Sequence, residues 1–114
     1  MEAVSIDVDD HDTLTVVLRG ELDFTQASQV VAVVREAIGE RRPRAVCVDL
    51  AEVPFLDSSG IGALVQAMKA ADRVSARFAV QRPTEQVFDQ LSVAGLLDLF
   101  GMSQPSADGP DQDG

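Results

Sequence analysis

The chain has 114 residues, 46% hydrophobic and 25% charged, which fits one ordinary globular domain and excludes wholesale disorder, collagen-like repeats and a second domain. Nine basic against nineteen acidic residues give a formal net charge of −10. Such a field repels phosphate backbones and anionic headgroups, so neither direct nucleic-acid binding nor membrane binding is expected, and a basic protein surface is the complementary partner.

No apolar run approaches the length of a membrane span, and Met1-Glu2-Ala3-Val4 lacks the basic region and long apolar stretch of a signal peptide. A lone Cys47 cannot form an internal disulfide, so the expected location is cytoplasmic. Residues 1–102 are expected to form the folded domain. Residues 103–114, rich in Ser, Pro, Asp and Gly, are expected to be a disordered acidic tail. Only three of the nineteen acids, Asp108, Asp111 and Asp113, lie there, so most of the acidity belongs to the fold.

Val4, Ile6 and Val8 alternate with polar residues, the period-two signature of a strand with one wet face. After a turn at Asp10-His11-Asp12, Leu14, Val16 and Leu18 resume the alternation. Those two runs predict a hairpin, its second strand lying deeper in the sheet and closed by Gly20. From about Thr25 the period changes, with Ala27, Val30, Val31, Val34 and Ile38 on one helical face. Gly39 is the expected C-terminal cap, and Pro43 forbids continuation.

The apolar run 44–50 predicts a central strand buried on both faces. A loop follows over 51–56. Ile61, Leu64, Val65 and Met68 then predict a second helix that starts among Asp57, Ser58 and Ser59 and ends near Arg73. A short strand over 77–80 comes next, then a third helix begun by Pro83-Thr84 with Val87, Phe88 and Leu91 on it, and a last short element over 96–100. Strand pair, helix, strand, helix, strand, helix implies an α/β fold: a mixed sheet, its N-terminal hairpin continued by parallel strands, packed with helices through right-handed crossovers.

Most candidate chemistry fails on spacing. The acidic turn from Asp7 to Asp12 lacks the glycine and terminal glutamate of an EF-hand loop. His11 is the only histidine, so no multi-histidine metal site is available, and there is no G-x-S-x-G elbow. Cys47, flanked by Val46 and Val48, reads as core filler. Gly60-Ile61-Gly62 completes no phosphate-binding motif; its glycines instead let a first helical turn approach the sheet or a partner closely. A receiver domain shares Asp9, Asp10 and Asp57, but a hairpin rather than a helix follows the acidic pair and Lys69 lies within a helix. No cofactor, metal or catalytic residue is therefore expected.

Phe55-Leu56-Asp57-Ser58-Ser59-Gly60-Ile61-Gly62 is the segment that remains. One of Asp57, Ser58 and Ser59 caps the second helix. In addition, a serine hydroxyl at a helix start, beside a loop and two glycines, is accessible and lies where unpaired N–H groups receive a phosphate. The roughly −2 charge of a phosphoserine beside Asp57, and near Asp23 and Asp49, would alter the local field enough to expel a docked partner without refolding the domain. Spacing does not choose between Ser58 and Ser59.

With Gly20-Glu21-Leu22-Asp23 at the end of the second strand and Ser92-Val93-Ala94-Gly95-Leu96 near the end of the chain, this segment completes three ordered motifs. The sequence, over about residues 3–100, resembles the STAS-domain anti-sigma factor antagonists. That resemblance implies a protein that binds an ATP-dependent anti-sigma factor kinase, releases a sigma factor, and is switched off when the kinase phosphorylates one serine; a metal-dependent Ser/Thr phosphatase reverses the step. It implies Ser58 as the phosphoacceptor, Asp57 as its orienting neighbour, Ser59 as a capping residue and Asp23 as the acid beside the site, with Thr25 starting the first helix. The partner-binding surface so implied comprises Asp23, Thr25, Phe55, Asp57, Ser58, Ser59, Gly60, Ile61 and Gly62. The alternative is a STAS scaffold module of a transporter-associated or other signalling complex, in which Asp57-Ser58 is only a cap and the face around Phe55 and Ile61 holds a different partner.

Overall fold

Side-chain alternation places the strands and a change of period places the helices. The computed structural model describes residues 4–8 and 12–102. Strands β1 (Val4–Val8) and β2 (Thr13–Arg19) form the hairpin, and helix α1 (Phe24–Arg41) leads to β3 (Ala45–Glu52). Helix α2 (Ser58–Arg73), strand β4 (Arg77–Gln81) and helix α3 (Glu85–Val93) follow. One sheet has the order β1-β2-β3-β4, antiparallel between β1 and β2 and parallel from β2 to β4. Asp9, Asp10, His11 and the tail from Ser103 lie outside the described residues.

Because β2, β3 and β4 advance in one direction, crossovers of the same hand put α1 and α2 on the same sheet face, where the two helices pack together. That face carries Leu14, Val16 and Leu18 of β2 with Val46, Val48 and Leu50 of β3, and they join Val30, Val34, Ile38, Leu64, Ala67, Val87 and Leu91 in one core. The other face is only half covered. Thr15, Val17, Ala45, Cys47 and Ala79 are half-buried, so β3 is not a strand buried on both faces, and Cys47 is not core filler. The even apolar run of β3 hid a one-sided strand because small residues face the half-covered side.

Helix ends depart from expectation where local chemistry competes. α1 runs through Gly39 and stops at Arg42, which takes the left-handed conformation (φ 47°) and donates its N–H to Ile38 O. A mid-helix glycine costs only about 1 kcal/mol, whereas Pro43 ends the helix outright. α3 ends in a Schellman turn: Gly95 (φ +75°) donates to Ser92 O, and Leu96 donates to Leu91 O. The Ala94-Gly95-Leu96 motif is thus a helix stop. Residues 97–101 form turns that bring Phe100 fully into the core, edge-on to Phe78 at 5.8 Å, and Phe100 O accepts from Val80 N–H on the outer edge of β4.

Candidate functional site

β3 ends at Glu52 and the chain must cross the carboxyl end of the sheet before α2 begins. Asp57 holds an extended backbone, its Oδ1 accepts from Gly60 N–H at 3.0 Å, and its carbonyl accepts from Ile61 N–H. Asp57 is therefore the N-cap of α2. Ser59, expected as a capping residue, is the second helical residue and half-buried; the cap needs an extended backbone one residue before the helix, a position Asp57 already fills. Ser58 is the first helical residue and is exposed.

Gly60 and Gly62 have different surroundings. A Cβ on Gly60 would lie 2.9 Å from Leu56 Cδ2 and 3.7 Å from Leu22 Cβ, so the first turn of α2 rests directly on these two buried leucines. Gly62 faces open space. It lines a groove of about 360 Å³ between α1 and α2, together with Phe24, Ala27, Val31, Ser59 and Ala63.

The contact of Gly60 with Leu22 joins the first motif to the second. Gly20 (φ +74°) donates to Glu52 O at 2.9 Å, turning the chain at the end of β2 toward β3. Asp23 then caps α1, its Oδ1 accepting from Gln26 N–H at 2.9 Å. Thr25 does not start that helix: Phe24 does, and Thr25 is its exposed second residue. Asp23, Thr25, Phe55, Asp57, Ser58, Ser59, Gly60, Ile61 and Gly62 all fall just beyond the carboxyl ends of parallel strands β2 and β3, the edge where ligands of open α/β sheets bind. They divide between two sides. Ser59 and Gly62 face the α1 groove, while Ile61 lines a second one with Gln86, Asp89, Gln90 and Val93.

Several features of this edge carried no sequence signal. Phe24, outside the helical face read from the sequence, is 75% exposed and lines the α1–α2 groove. Gln90 accepts from Leu56 N–H at 2.8 Å through Oε1 and donates to Leu56 O through Nε2. Thr84 caps α3 and donates its hydroxyl to Val53 O at 3.3 Å. The hydrogen bonds to Leu56 and Val53 pair residues more than thirty positions apart, which no local pattern encodes.

Asp49, at the carboxyl end of β3, is buried. Its Oδ1 accepts from Ala51 N–H at 2.9 Å, and its Oδ2 accepts from Nε (3.0 Å) and Nη2 of Arg82. Burial opposes ionisation, but the Arg82 hydrogen bonds, the Ala51 N–H and the guanidinium charge outweigh it and hold the carboxyl below its usual value. The charge of Asp49 is thus matched by the exposed Arg82, and the exposed acids at this edge are Glu21, Asp23, Glu52 and Asp57. Among the described residues, no group of three or more His, Cys, Asp or Glu could hold a metal ion, and no helix is long and apolar enough to cross a membrane.

The sequence model of the STAS domain matches residues 4–109. An anti-sigma-B factor antagonist of Listeria monocytogenes serovar 1/2a is 28% identical over 104 residues, covering 85% of this chain and 86% of that protein. The anti-sigma factor antagonist SpoIIAA in its unphosphorylated form superimposes with a TM-score of 0.76 at 23% identity, over 91% of this chain and 90% of the other. The Bacillus cell fate determinant SpoIIAA in its phosphorylated form gives 0.69 at 22% identity, over 91% and 94%.

Proposed function

The chain belongs to the STAS domain family, and from that premise we propose that it is an anti-sigma factor antagonist switched by phosphorylation of Ser58. One observation carries the reading: Ser58 presents an exposed hydroxyl on the first turn of α2, directly after the acid that caps the helix. Support comes from the anti-sigma-B factor antagonist similar over most of its length and from the acidic edge formed by Glu21, Asp23, Glu52 and Asp57.

In the unmodified state this edge docks on a basic surface of an ATP-dependent anti-sigma kinase, and the sigma factor is released. The kinase then transfers the γ-phosphoryl group. The Ser58 Oγ–P bond forms as the bond between the γ-phosphorus and the bridging oxygen of ATP breaks, ADP departs, and the hydroxyl proton passes to a base on the kinase. About −1.5 to −2 charges then stand beside Asp57, on a rim already acidic. The change is local: the cap of α2 is the Asp57 carboxylate on Gly60 N–H and does not use the Ser58 hydroxyl, while the docked partner faces an added anion and bulk where a hydroxyl stood. A Ser/Thr phosphatase resets the switch. The chain acts by binding and supplies no catalytic group.

The test compares two variants against the serine kinase recovered from the host with the Ser58→Ala chain. Ser58→Ala should hold that kinase persistently and Ser58→Asp weakly. Equal affinity of the two would overturn the switch.

A further inference from the structure

The switch serine is only as well placed as the loop that delivers it, and that loop is held from the far side by α3. Leu56 lies two residues before Ser58, and its side chain, 2% exposed, supports the helix start at Gly60. Its backbone is bound by a side chain: the N–H donates to Gln90 Oε1 at 2.8 Å and the C=O accepts from Gln90 Nε2. The carboxamide therefore takes the place of a neighbouring strand, answering one residue's donor and acceptor at once. The two partners also fix the amide orientation, because only the oxygen can face the Leu56 N–H.

On the basis of the proposed function, we infer that Gln90 is the positioning residue of the phosphorylation switch: its carboxamide clamps Leu56 so that Ser58 is presented at one fixed height and angle. Transfer to a serine is sensitive to such placement, because the hydroxyl must reach the γ-phosphorus in line with the leaving oxygen. Thr84 holds the same loop upstream at Val53 O, but Gln90 acts next to the serine. Its neighbour in the same surface groove is Ile61 of the first turns of α2, so the clamp and the switch helix share one patch of surface. Gln90 touches neither hydroxyl nor phosphate in this arrangement; it acts through Leu56.

Two substitutions separate positioning from simple support. Gln90→Met keeps length and removes both hydrogen-bonding groups. Gln90→Glu keeps the acceptor but, when ionised, sets a second acceptor against Leu56 O; protonation returns the donor and restores the clamp. That introduced carboxyl should titrate above its usual value of about 4.3, because the carbonyl favours its neutral form.

The experiment uses the full chain and reads two quantities: amide hydrogen exchange at Leu56, corrected for the intrinsic pH dependence, and steady-state phosphorylation of Ser58 by the kinase recovered with Ser58→Ala. In Gln90→Met, Leu56 exchange should rise about tenfold or more, and kcat for phosphorylation should fall about tenfold with KM changed less than twofold, as expected for a lost alignment of the reacting hydroxyl. In Gln90→Glu, whose carboxylate still accepts from Leu56 N–H and lacks only the donor to Leu56 O, the fall in kcat relative to the wild type should narrow as pH drops from 7 to 5. A merely structural glutamine would not produce that pH-dependent rescue. Unchanged Leu56 exchange in Gln90→Met, or faster exchange with an unaltered kcat, would overturn the inference while the wild type is still phosphorylated. A wild-type chain that the kinase does not phosphorylate would instead overturn the proposed function, and the inference with it.

Discussion

Gly60 and Gly62 lie two residues apart on the same helix, yet alanine should affect them in opposite directions. At Gly62 an added methyl meets nothing within 4 Å, so Gly62→Ala should stabilise the fold by roughly 0.5–1 kcal/mol, the helix-propensity difference. At Gly60 the same propensity gain is opposed by a methyl 2.9 Å from Leu56 Cδ2 and 3.6 Å from Leu56 Cβ. The Leu56 side chain has little room to yield, being 2% exposed with its backbone bound by Gln90. Overpacking of this kind costs about 1–3 kcal/mol, so the net effect of Gly60→Ala is a loss of about 1 kcal/mol. At this chain length that is a fall of roughly 4–8 °C in Tm. Urea unfolding of the three proteins gives the comparison directly, provided their m-values agree. Gly60→Ala as stable as Gly62→Ala would refute the claim that α2 rests on Leu56 without space for a side chain.

Asp57→Ala removes the N-cap of α2 and should cost about 1 kcal/mol, with Asp57→Asn losing far less, both read by urea unfolding. Phe100→Ala should destabilise by about 3–5 kcal/mol, because the ring is fully buried against Phe78; a cost under 1 kcal/mol would mean that the C-terminal turn is not part of the core. Asp49 titrates lower in the folded chain than in the unfolded one, so its contribution is complete above the unfolded value of about 3.9 and is lost as pH falls through the folded value. Asp49→Asn should therefore be less stable than the wild type at neutral pH, with the gap narrowing only below about pH 4.

The elements were legible because their signals are local. Alternation at Leu14, Val16 and Leu18 is a strand wherever it occurs on a wet-faced sheet, and Ile61, Leu64 and Met68 repeat at a helix's spacing. Pro43 ended α1 as expected, but Gly39 did not cap it, since a glycine permits a stop without imposing one. The segment 55–62 stood out as what remained once the other candidates failed, and its Asp-Ser-Ser order left the cap undecided until the extended backbone of Asp57 showed which residue precedes the helix. What the sequence withheld is long-range. Gln90 meets Leu56 and Arg82 meets Asp49 only because β4 is laid beside β3 and α3 reaches the loop that follows β3. The half-covered sheet face depends on which side the crossovers fall.

The central claim is that Ser58 is the switch, and intact-mass spectrometry with site mapping tests it on protein taken from its native host, before and after phosphatase treatment. The account predicts a single phosphate on Ser58 that the phosphatase removes. A phosphate found on Ser59 instead, or none under several growth conditions, would contradict it.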